Sequence, residues 1–313
     1  MADAPFVSFA QNGEDVVLWR VLAGVTEGRY IDVGANHPSQ DSVTRAFYNR
    51  GWRGIAIEPI PHYAALLREE RPGDVVIEAA ITTNEGDTAT LHEIPDTGLS
   101  TLDDGLRDMH QNAGYEVRDI EVTTRTLNGV LDEVGWVGDD IHFLTLDVEG
   151  SEAEVIRSLD LGKWRPWVLV IESVIPNGDQ STHDEWDDLV TSAGYRFCLF
   201  DGLSRFYLAD ERAGDIDPGP WAPANILDEF TTQREKTMVE DLQRAVTQSI
   251  AWKTIALERW SENMDAATMA AAQVSAEHRR LLEEYVAIQE TISWRLTKPL
   301  RTVREHMSRK DAE

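Results

Sequence analysis

Two groups of acidic residues follow short apolar runs, and they are the strongest candidates for chemistry in this sequence. The first run leads into Asp32-Val33-Gly34-Ala35-Asn36, and a second run ends at Glu58. A glycine in the turn after a strand lets the backbone approach a ligand closely. A carboxylate at the end of the next strand suits the paired hydroxyls of a ribose. This pattern predicts the nucleoside-binding half of an open parallel sheet.

The first turn contains a single glycine, Gly34, and so lacks the Gly-x-Gly-x-x-Gly signature of pyrophosphate sites. A nucleoside without phosphates, such as S-adenosylmethionine, does not need those glycines. Its ammonium group would contact Asp32 or a carbonyl of the turn, and its ribose hydroxyls would contact Glu58. A purely structural role for the turn and its acids remains open at this point.

The second group, Asp147-Val148-Glu149-Gly150, follows the apolar run 141–146. Asp147 and Glu149 are two residues apart, so in an extended segment both side chains point the same way. Such a pair can bind a metal, hold a sulfonium or act as general base on a hydroxyl. It can also cap the following helix. We predict Asp147 as the base, with Glu149 second, and leave open whether a divalent ion binds there.

Three further polar residues are weaker candidates. Glu172 closes the next apolar run and is predicted to bind a polyol acceptor, unless it is a surface acid. His37 follows the glycine turn and is our third choice of base, because imidazole titrates near neutral pH. His183 opens a later helix and is a candidate for binding the substrate. The lone Cys198 lies in an apolar strand and is expected in the core.

Strands alternate with helical patterns up to about residue 210, which predicts an α/β fold with a mostly parallel sheet. We expect helices at 14–23, 41–50, 60–70 and 182–193, with Ser151 capping another, and strands at 30–34, 54–58, 74–79, 86–92, 118–125, 141–147 and 168–172. Residues 94–113 are rich in Gly, Asp and Ser and predict a loop or lid. Residues 195–208 predict a closing antiparallel hairpin.

The pattern changes after this first domain, 1–212. Residues 213–230 begin with several prolines and glycines and predict a linker. In the third segment, 231–313, apolar residues recur at alternating steps of three and four between 246 and 292, interrupted only by Lys253 and His278. This heptad predicts a long, coiled-coil-like helix. Self-association into a homo-oligomer, packing on the acidic domain and a helical hairpin all remain open.

Composition narrows the classes of function. No run of about 18 apolar residues is present, so we expect no membrane span. The beginning of the chain lacks signal-peptide features, and a single cysteine forms no disulfide within one chain, so we expect a cytoplasmic protein. The net charge is −27, and residues 225–313, with 13 basic and 15 acidic residues, contribute little of it. A domain this acidic repels phosphates, so we expect no nucleic-acid partner.

Four segments taken together resemble the FkbM family of S-adenosylmethionine-dependent methyltransferases. They are Gln11-x-Gly13-Glu14-Asp15, Tyr30–Asn36, Gly51–Pro59 and Leu146–Gly150. The resemblance covers residues from about 8 to about 210. It implies a class I methyltransferase sheet, which is Rossmann-like, and O-methylation, often of sugars or polyketide hydroxyls. The alternatives are a nucleotide-dependent oxidoreductase or epimerase, and a non-enzymatic scaffold that binds the cofactor during glycan assembly.

The resemblance also implies roles for single residues. Asp32, Gly34 and Asn36 would lie against the methionine part of the cofactor, and Glu58 would hold its ribose. Residues 79–80, including Ala80, would pass the adenine. The Asp147 and Glu149 pair would face the methyl group and the acceptor.

The end of the chain, residues 291–310, carries six basic residues and one acid. Its sequence resembles endings of bacterial polysaccharide-assembly proteins, which favours a sugar hydroxyl of a polysaccharide or lipid-linked glycan as acceptor. A basic amphipathic segment can also contact anionic lipid or glycan-assembly proteins. We therefore expect this protein in the cytoplasm with peripheral contact to the inner face of the membrane, unless the segment is only a solvated helix end.

Overall fold

A computed structural model describes residues 5–136, 138–175, 181–216 and 220–291 of the protein. The strands are β1 (Phe6–Ser8), β2 (Arg29–Val33), β3 (Arg53–Ile57), β4 (Val75–Ile77), β5 (Ala80–Ile81), β6 (Thr88–Glu93), β7 (Arg118–Arg125), β8 (Phe143–Leu146), β9 (Val168–Glu172), β10 (Tyr195–Phe200), β11 (Ser204–Ala209) and β12 (Phe230–Thr232). The α-helices are α1 (Glu14–Leu22), α2 (Arg45–Tyr48), α3 (Pro61–Glu70), α4 (Asp104–Asn112), α5 (Leu127–Val134), α6 (Glu152–Arg157), α7 (Asp187–Ser192) and α8 (Gln233–Glu290).

Seven strands form the central sheet in the order β10-β11-β9-β8-β2-β3-β4. The pairs from β9 to β4 are parallel, and β11 runs antiparallel to both β9 and β10. The predicted fold class is therefore confirmed: a Rossmann-like, mostly parallel sheet with an antiparallel C-terminal hairpin. The strand order reverses between β2 and β8, and ligands of such sheets bind at the carboxyl edge beside that point.

The inner strands are apolar along their length because helices cover both faces of the sheet. Every residue of β8 and β9 is buried. The register pairs Val33 with Leu146 and Leu146 with Ile171. Consequently Asp147, which follows β8, and Glu172, the last residue of β9, meet at one edge. Burial of the strands thus fixes where the acids stand.

A second, smaller sheet lies in the order β5-β7-β6, with β6 antiparallel and β5 parallel to β7. It confirms strands near 86–92 and 118–125. The segment predicted as a loop at 94–113 is only partly one, because α4 occupies its second half. Asp103 caps this helix by accepting the N–H of Leu106. Asp103 is a recognisable N-cap residue in the sequence, but the Gly and Asp content of the segment favoured a loop instead.

Three other local predictions are wrong in detail. The helix expected at 41–50 is reduced to α2, because Asp41 has φ 53° and residues 38–44 wrap around the buried Arg71. The helix expected at 182–193 is a 3₁₀ turn followed by α7. Ser151 precedes α6 but makes no capping hydrogen bond; instead Glu152 accepts the N–H groups of Val148 and Gly150.

The segment predicted as a linker, 213–230, contacts the first domain where the structure describes it. Arg20 forms a bidentate ion pair with Asp228 and donates to the carbonyls of residues 222 and 223. Directly after it, β12 pairs in parallel with β1. One compact unit extends to Thr237 and a second begins at Met238.

The long helix predicted from the heptad is confirmed as α8, whose 58 residues would span about 87 Å. Taken by itself, it leaves its apolar seam exposed, for example at Ile250, Leu257 and Trp260. The basic segment 291–310 lies outside the described residues apart from its first position. Among the described helices, none combines the length and hydropathy required to cross a membrane.

Truncation after Thr237 tests the heptad without cutting β12. We expect the full chain to have at least twice its chain mass in light scattering and the truncated chain to be a monomer that still binds cofactor. Leu257→Glu, on the seam, should weaken association, because a charge at such a position opposes knobs-into-holes packing. Met269→Glu, on the far side of the helix, should not. The same number of chains per particle before and after truncation would rule out self-association through α8.

Candidate functional site

The carboxyl ends of β2, β3 and β8 surround a cavity at the edge of the sheet. Five of the six residues predicted to contact the cofactor line it: Gly34, Asn36, Glu58, Ala80 and Asp147. Around Ala80 the wall is apolar and includes Leu91 and Leu102, which pack in the same cluster. The cavity therefore offers an apolar part and a carboxylate, as a nucleoside requires.

Gly34 allows the first turn to lie directly against the end of β8. Its φ is +83°, and a Cβ built on it would lie 1.7 Å from the carbonyl oxygen of Asp147. Its own N–H donates to the carbonyl of Ile57 at 3.0 Å. No side chain fits between these backbones. Glycine is thus required at position 34 because the ends of β2 and β8 lie so close together, whether or not a ligand is bound.

Glu58 is buried beside the turn, and both of its carboxylate oxygens accept backbone N–H groups. Oε2 accepts from Asn36 at 2.8 Å, and Oε1 accepts from Ile60 at 2.7 Å. Burial raises its pKa to about 7, although the two hydrogen bonds oppose that shift. Each oxygen keeps a second lone pair for a donor in the cavity. Glu58 thus holds the turn in place and remains able to accept ribose hydroxyls.

The pKa of Glu58 predicts a pH dependence of cofactor binding. A ribose hydroxyl that donates to the carboxylate stabilises the ionised form, so binding should weaken as pH falls below about 7. The stability of the cofactor-free protein has the opposite pH dependence. The raised pKa makes the folded state bind more protons than the unfolded state between pH 4.5 and about 7, so the free energy of unfolding falls as pH rises through that window. Calorimetry with S-adenosylhomocysteine from pH 6 to 8 should show the weakening, and Glu58→Gln should flatten the profile. A mutant with the wild-type slope would contradict it.

Asn36 and Asp32 differ in how they face the cavity. Asn36 adopts φ 44°, a conformation that asparagine tolerates, and its Nδ2 donates to the carbonyl of Thr97 at 3.2 Å. Asp32 is buried, accepts a hydrogen bond from Thr44 and lies 3.9 Å from Arg71. Burial raises its pKa to about 6. Asp32 is the one predicted cofactor contact that does not line this cavity; it lines the neighbouring cleft instead.

A larger cleft adjoins the first cavity, and the two share Gly34, Asn36, Gly98, Asp147 and Glu149 in their walls. The cleft is lined mainly by polar side chains. They include Gln11, Glu14, Asp32, His37, Gln40, Asp41, Ser42, Thr97, Glu172 and Ser204. Both cavities are also bounded by residues 96–102, which lie in the predicted lid. The cleft thus offers many hydrogen-bonding groups to a second ligand.

Asp147, Glu149 and Glu172 converge at the junction of the two cavities, as their places at the strand ends predict. One oxygen from each lies within 4.8 Å of the others. Burial raises the pKa of all three carboxyl groups, and repulsion from Asp147 raises those of Glu149 and Glu172 further. The surrounding protein desolvates all three groups, but the Asp147 residue keeps exposed surface in the cleft, whereas Glu149 and Glu172 are only 7% and 9% exposed.

Glu149 reaches this cluster through a strained backbone. Its φ is 52° and that of Gly150 is 97°, both in the left-handed region. Such a conformation in a residue other than glycine costs about 1–3 kcal/mol and is common at functional sites. The hydroxyl of Thr101 holds it by donating to the Glu149 carbonyl at 2.7 Å. The segment 94–102 is therefore attached to the acidic cluster.

The two histidines are placed differently. His37 lines the cleft, and its Nδ1 accepts the N–H groups of Ser39 and Gln40 at 3.1 and 2.9 Å. The other nitrogen then carries the proton, so this tautomer is not set up as a base. His183 lies in the 3₁₀ turn and contacts Ser181 and Asp184. It is not among the residues that line either cavity.

Two buried residues near the site were not singled out by sequence reasoning. Glu14 lines the cleft at 2% exposure, and burial raises its pKa to about 8. Its place in the Gln-x-Gly-Glu-Asp segment was the available signal. Arg71, fully buried, donates to Ser42 at 2.6 Å and to Thr44 at 2.7 Å, and so supports the loop beside Asp32. Nothing in its sequence neighbourhood predicted that contact.

Several solved structures are similar to this chain. A TehB-like S-adenosylmethionine-dependent methyltransferase from Corynebacterium glutamicum has 8% identity and a TM-score of 0.36, over 64% of this chain and 88% of that chain. Magnesium protoporphyrin IX methyltransferase from Synechocystis, with bound S-adenosylmethionine, has 10% identity and a TM-score of 0.34, over 62% and 75%. An O-methyltransferase from Bacillus cereus in complex with S-adenosylhomocysteine has 12% identity and a TM-score of 0.32, over 63% and 80%.

No curated protein matches the chain. The model of one protein family does, and its description is the methyltransferase FkbM domain. The match covers residues 32–197, more than half of the 313 residues. It begins at Asp32 and takes in the first turn, Glu58 and the acidic cluster. The resemblance inferred from the motifs is thereby confirmed, and the chain belongs to the family of methyltransferase FkbM domains.

Proposed function

We propose that this protein is an S-adenosylmethionine-dependent O-methyltransferase that acts on a sugar hydroxyl of a glycan, polysaccharide or glycosylated metabolite. The observation that carries the proposal is the junction of two cavities at Asp147. One has the features of a nucleoside site, and the other is a polar cleft. A methyl group bound in the first would face an acceptor in the second. Membership of a methyltransferase family speaks against the oxidoreductase or epimerase alternative.

The first cavity suits each part of the methyl donor. The adenine would lie in the apolar part near Ala80, with no ionic contact required. The ribose hydroxyls would donate to Glu58, whose side chain is already fixed by two backbone N–H groups. The methionine part would pass along Gly34 and Asn36 toward Asp147. The sulfonium would then lie near carboxylates that stabilise positive charge.

The polar lining of the cleft favours a sugar as acceptor. Amide and carboxylate side chains such as Gln11, Gln40 and Asp41 match the vicinal hydroxyls of a sugar ring, since the amides donate and accept hydrogen bonds and the carboxylate accepts them. Glu172 lies beside Asp147, where the reacting hydroxyl would be held. Aliphatic or aromatic acceptors would leave these polar groups without partners.

The reaction we propose is an in-line displacement. The acceptor oxygen forms a bond to the methyl carbon while the carbon–sulfur bond breaks, and the bonding pair stays on sulfur as S-adenosylhomocysteine leaves. The hydroxyl proton passes to Asp147, the cluster carboxylate most open to the cleft. Proton removal of this kind usually increases the reaction rate by about 10²–10⁴-fold. The protein otherwise acts by aligning donor and acceptor.

The acceptor class can be tested with methyl-labelled S-adenosylmethionine and cell-envelope glycan from a strain lacking this gene. We expect label in the glycan and, after acid hydrolysis, a monosaccharide heavier by one methyl group in mass spectrometry. Glu172→Gln should reduce incorporation. Label in lipid or protein alone would contradict the sugar assignment. Cofactor binding without any transfer would favour the non-enzymatic scaffold.

Partners and location follow from the same proposal. Self-association through α8 and contact of residues 291–310 with membrane lipid or glycan-assembly proteins stay predictions. A cytoplasmic position at the inner face of the membrane would place the domain beside glycans under assembly. Binding of the full chain to anionic vesicles, compared with a chain ending at 290, tests the membrane contact directly.

A further inference from the structure

The junction of the two cavities has the dimensions of a cation site. Asp147, Glu149 and Glu172 each present one oxygen, and all three oxygens lie within 4.8 Å of one another. Two oxygens bound to one small divalent ion at about 2.1 Å are at most about 4.2 Å apart. The three oxygens are therefore close to ligand spacing, and small side-chain shifts would bring them to it.

The charge of this cluster lacks a partner in the part of the chain that the structure describes. The ion pairs of those residues involve none of these three acids. Glu149 is only 7% exposed, and its buried Oε2 atom has no hydrogen-bond partner. The carboxyl oxygens of Asp147 and Glu172 lie within 4.8 Å of each other. Buried like charges in this arrangement require either a proton or a cation.

The backbone builds this arrangement from two elements. Asp147 and Glu172 are held side by side by the register of β8 and β9. Glu149 is turned back toward them by its left-handed conformation, and Gly150 permits that turn, since a Cβ there would lie 2.7 Å from Leu106. A helix-capping cluster would not need Glu149 to be strained, buried and unpaired. Glu152, the first residue of α6, instead accepts the N–H groups of Val148 and Gly150 in the turn before the helix.

We propose that Asp147, Glu149 and Glu172 bind one hard divalent cation, of the Mg²⁺ or Mn²⁺ type. A set made only of carboxylate oxygens suits such ions, whereas zinc and copper sites usually include imidazole or thiolate ligands. Three protein ligands leave coordination positions open toward the cleft. There the ion would bind the acceptor hydroxyl and lower its pKa. One oxygen of Asp147 binds the ion, and the other takes the hydroxyl proton as the methyl group moves from sulfur to oxygen.

The role of the ion in transfer rests on the proposed function, whereas the ion site does not. Electron paramagnetic resonance of added Mn²⁺ counts bound ions on the full chain without any substrate. We expect one Mn²⁺ per chain with a Kd at or below about 1 mM, the weak end for carboxylate sites. Glu149→Gln and Glu172→Gln should each raise that Kd at least about tenfold. Glu154→Gln, an exposed acid on α6, should leave it unchanged.

S-adenosylhomocysteine binding shows that each variant is folded. If wild type binds no Mn²⁺ under these conditions, or if the variants bind it as tightly as wild type, the ion site is wrong. Glycan methylation that persists in EDTA would overturn the role in transfer and leave the methyltransferase proposal intact. Specific Mn²⁺ binding without methylation of glycan would support the ion site and overturn the sugar acceptor.

Discussion

Asp147→Asn is expected to lower kcat by about 10²–10⁴, the contribution usual for a general base. The amide has the same shape but neither accepts the hydroxyl proton nor matches a carboxylate as a metal ligand. The backbone of residue 147 would keep its bond to the Val33 carbonyl, which is 3.0 Å long. Single-turnover methyl transfer with saturating donor and acceptor measures this loss.

The same variant should change S-adenosylhomocysteine affinity by less than about tenfold, since the sulfur of that ligand is neutral and loses no ionic contact. Glu154→Gln provides the matched control for a carboxylate changed to an amide outside the site, and its kcat should equal that of wild type. If Asp147→Asn keeps wild-type kcat, Asp147 neither accepts the proton nor supports the group that does.

Gly34→Ala should abolish cofactor binding in the micromolar range. The new Cβ would lie 1.7 Å from the Asp147 carbonyl oxygen, so the ends of β2 and β8 must separate. The residue also has φ +83°, which costs an L-residue about 1–2 kcal/mol. Binding by calorimetry and folding by thermal unfolding measure the two consequences.

Gly51→Ala separates these two effects. Gly51 has φ +93°, but a Cβ there meets nothing within 4 Å. The Gly51→Ala variant should therefore lose stability through backbone strain and still bind cofactor as wild type does. If Gly34→Ala binds S-adenosylhomocysteine as well as Gly51→Ala does, the close approach of the two strand ends is not required for the cavity.

The elements that determine the site could be predicted because they depend on local patterns. The runs before Asp32, Glu58 and Asp147 are apolar since a parallel sheet buries them on both faces. Parallel pairing then carries the residues that follow to one edge. The heptad likewise predicted α8, because a repeat of 3.5 residues is a property of sequence alone.

The contacts that could not be predicted depend on side chains distant in sequence. Arg71 supports the loop at 38–44 from 27 or more positions away, and its bonds replaced the helix expected there. Pairing of β12 with β1 joins positions more than 200 residues apart. Such long-range contacts follow from tertiary packing rather than from propensity.

A crystal structure of the protein with S-adenosylhomocysteine tests the central claim most directly. We predict the ribose hydroxyls on the Glu58 carboxylate, the adenine beside Ala80 and the sulfur directed at Asp147 across the junction of the two cavities. A ligand bound elsewhere, or a ribose without contact to Glu58, would contradict the assignment of methyl donor and acceptor to these cavities.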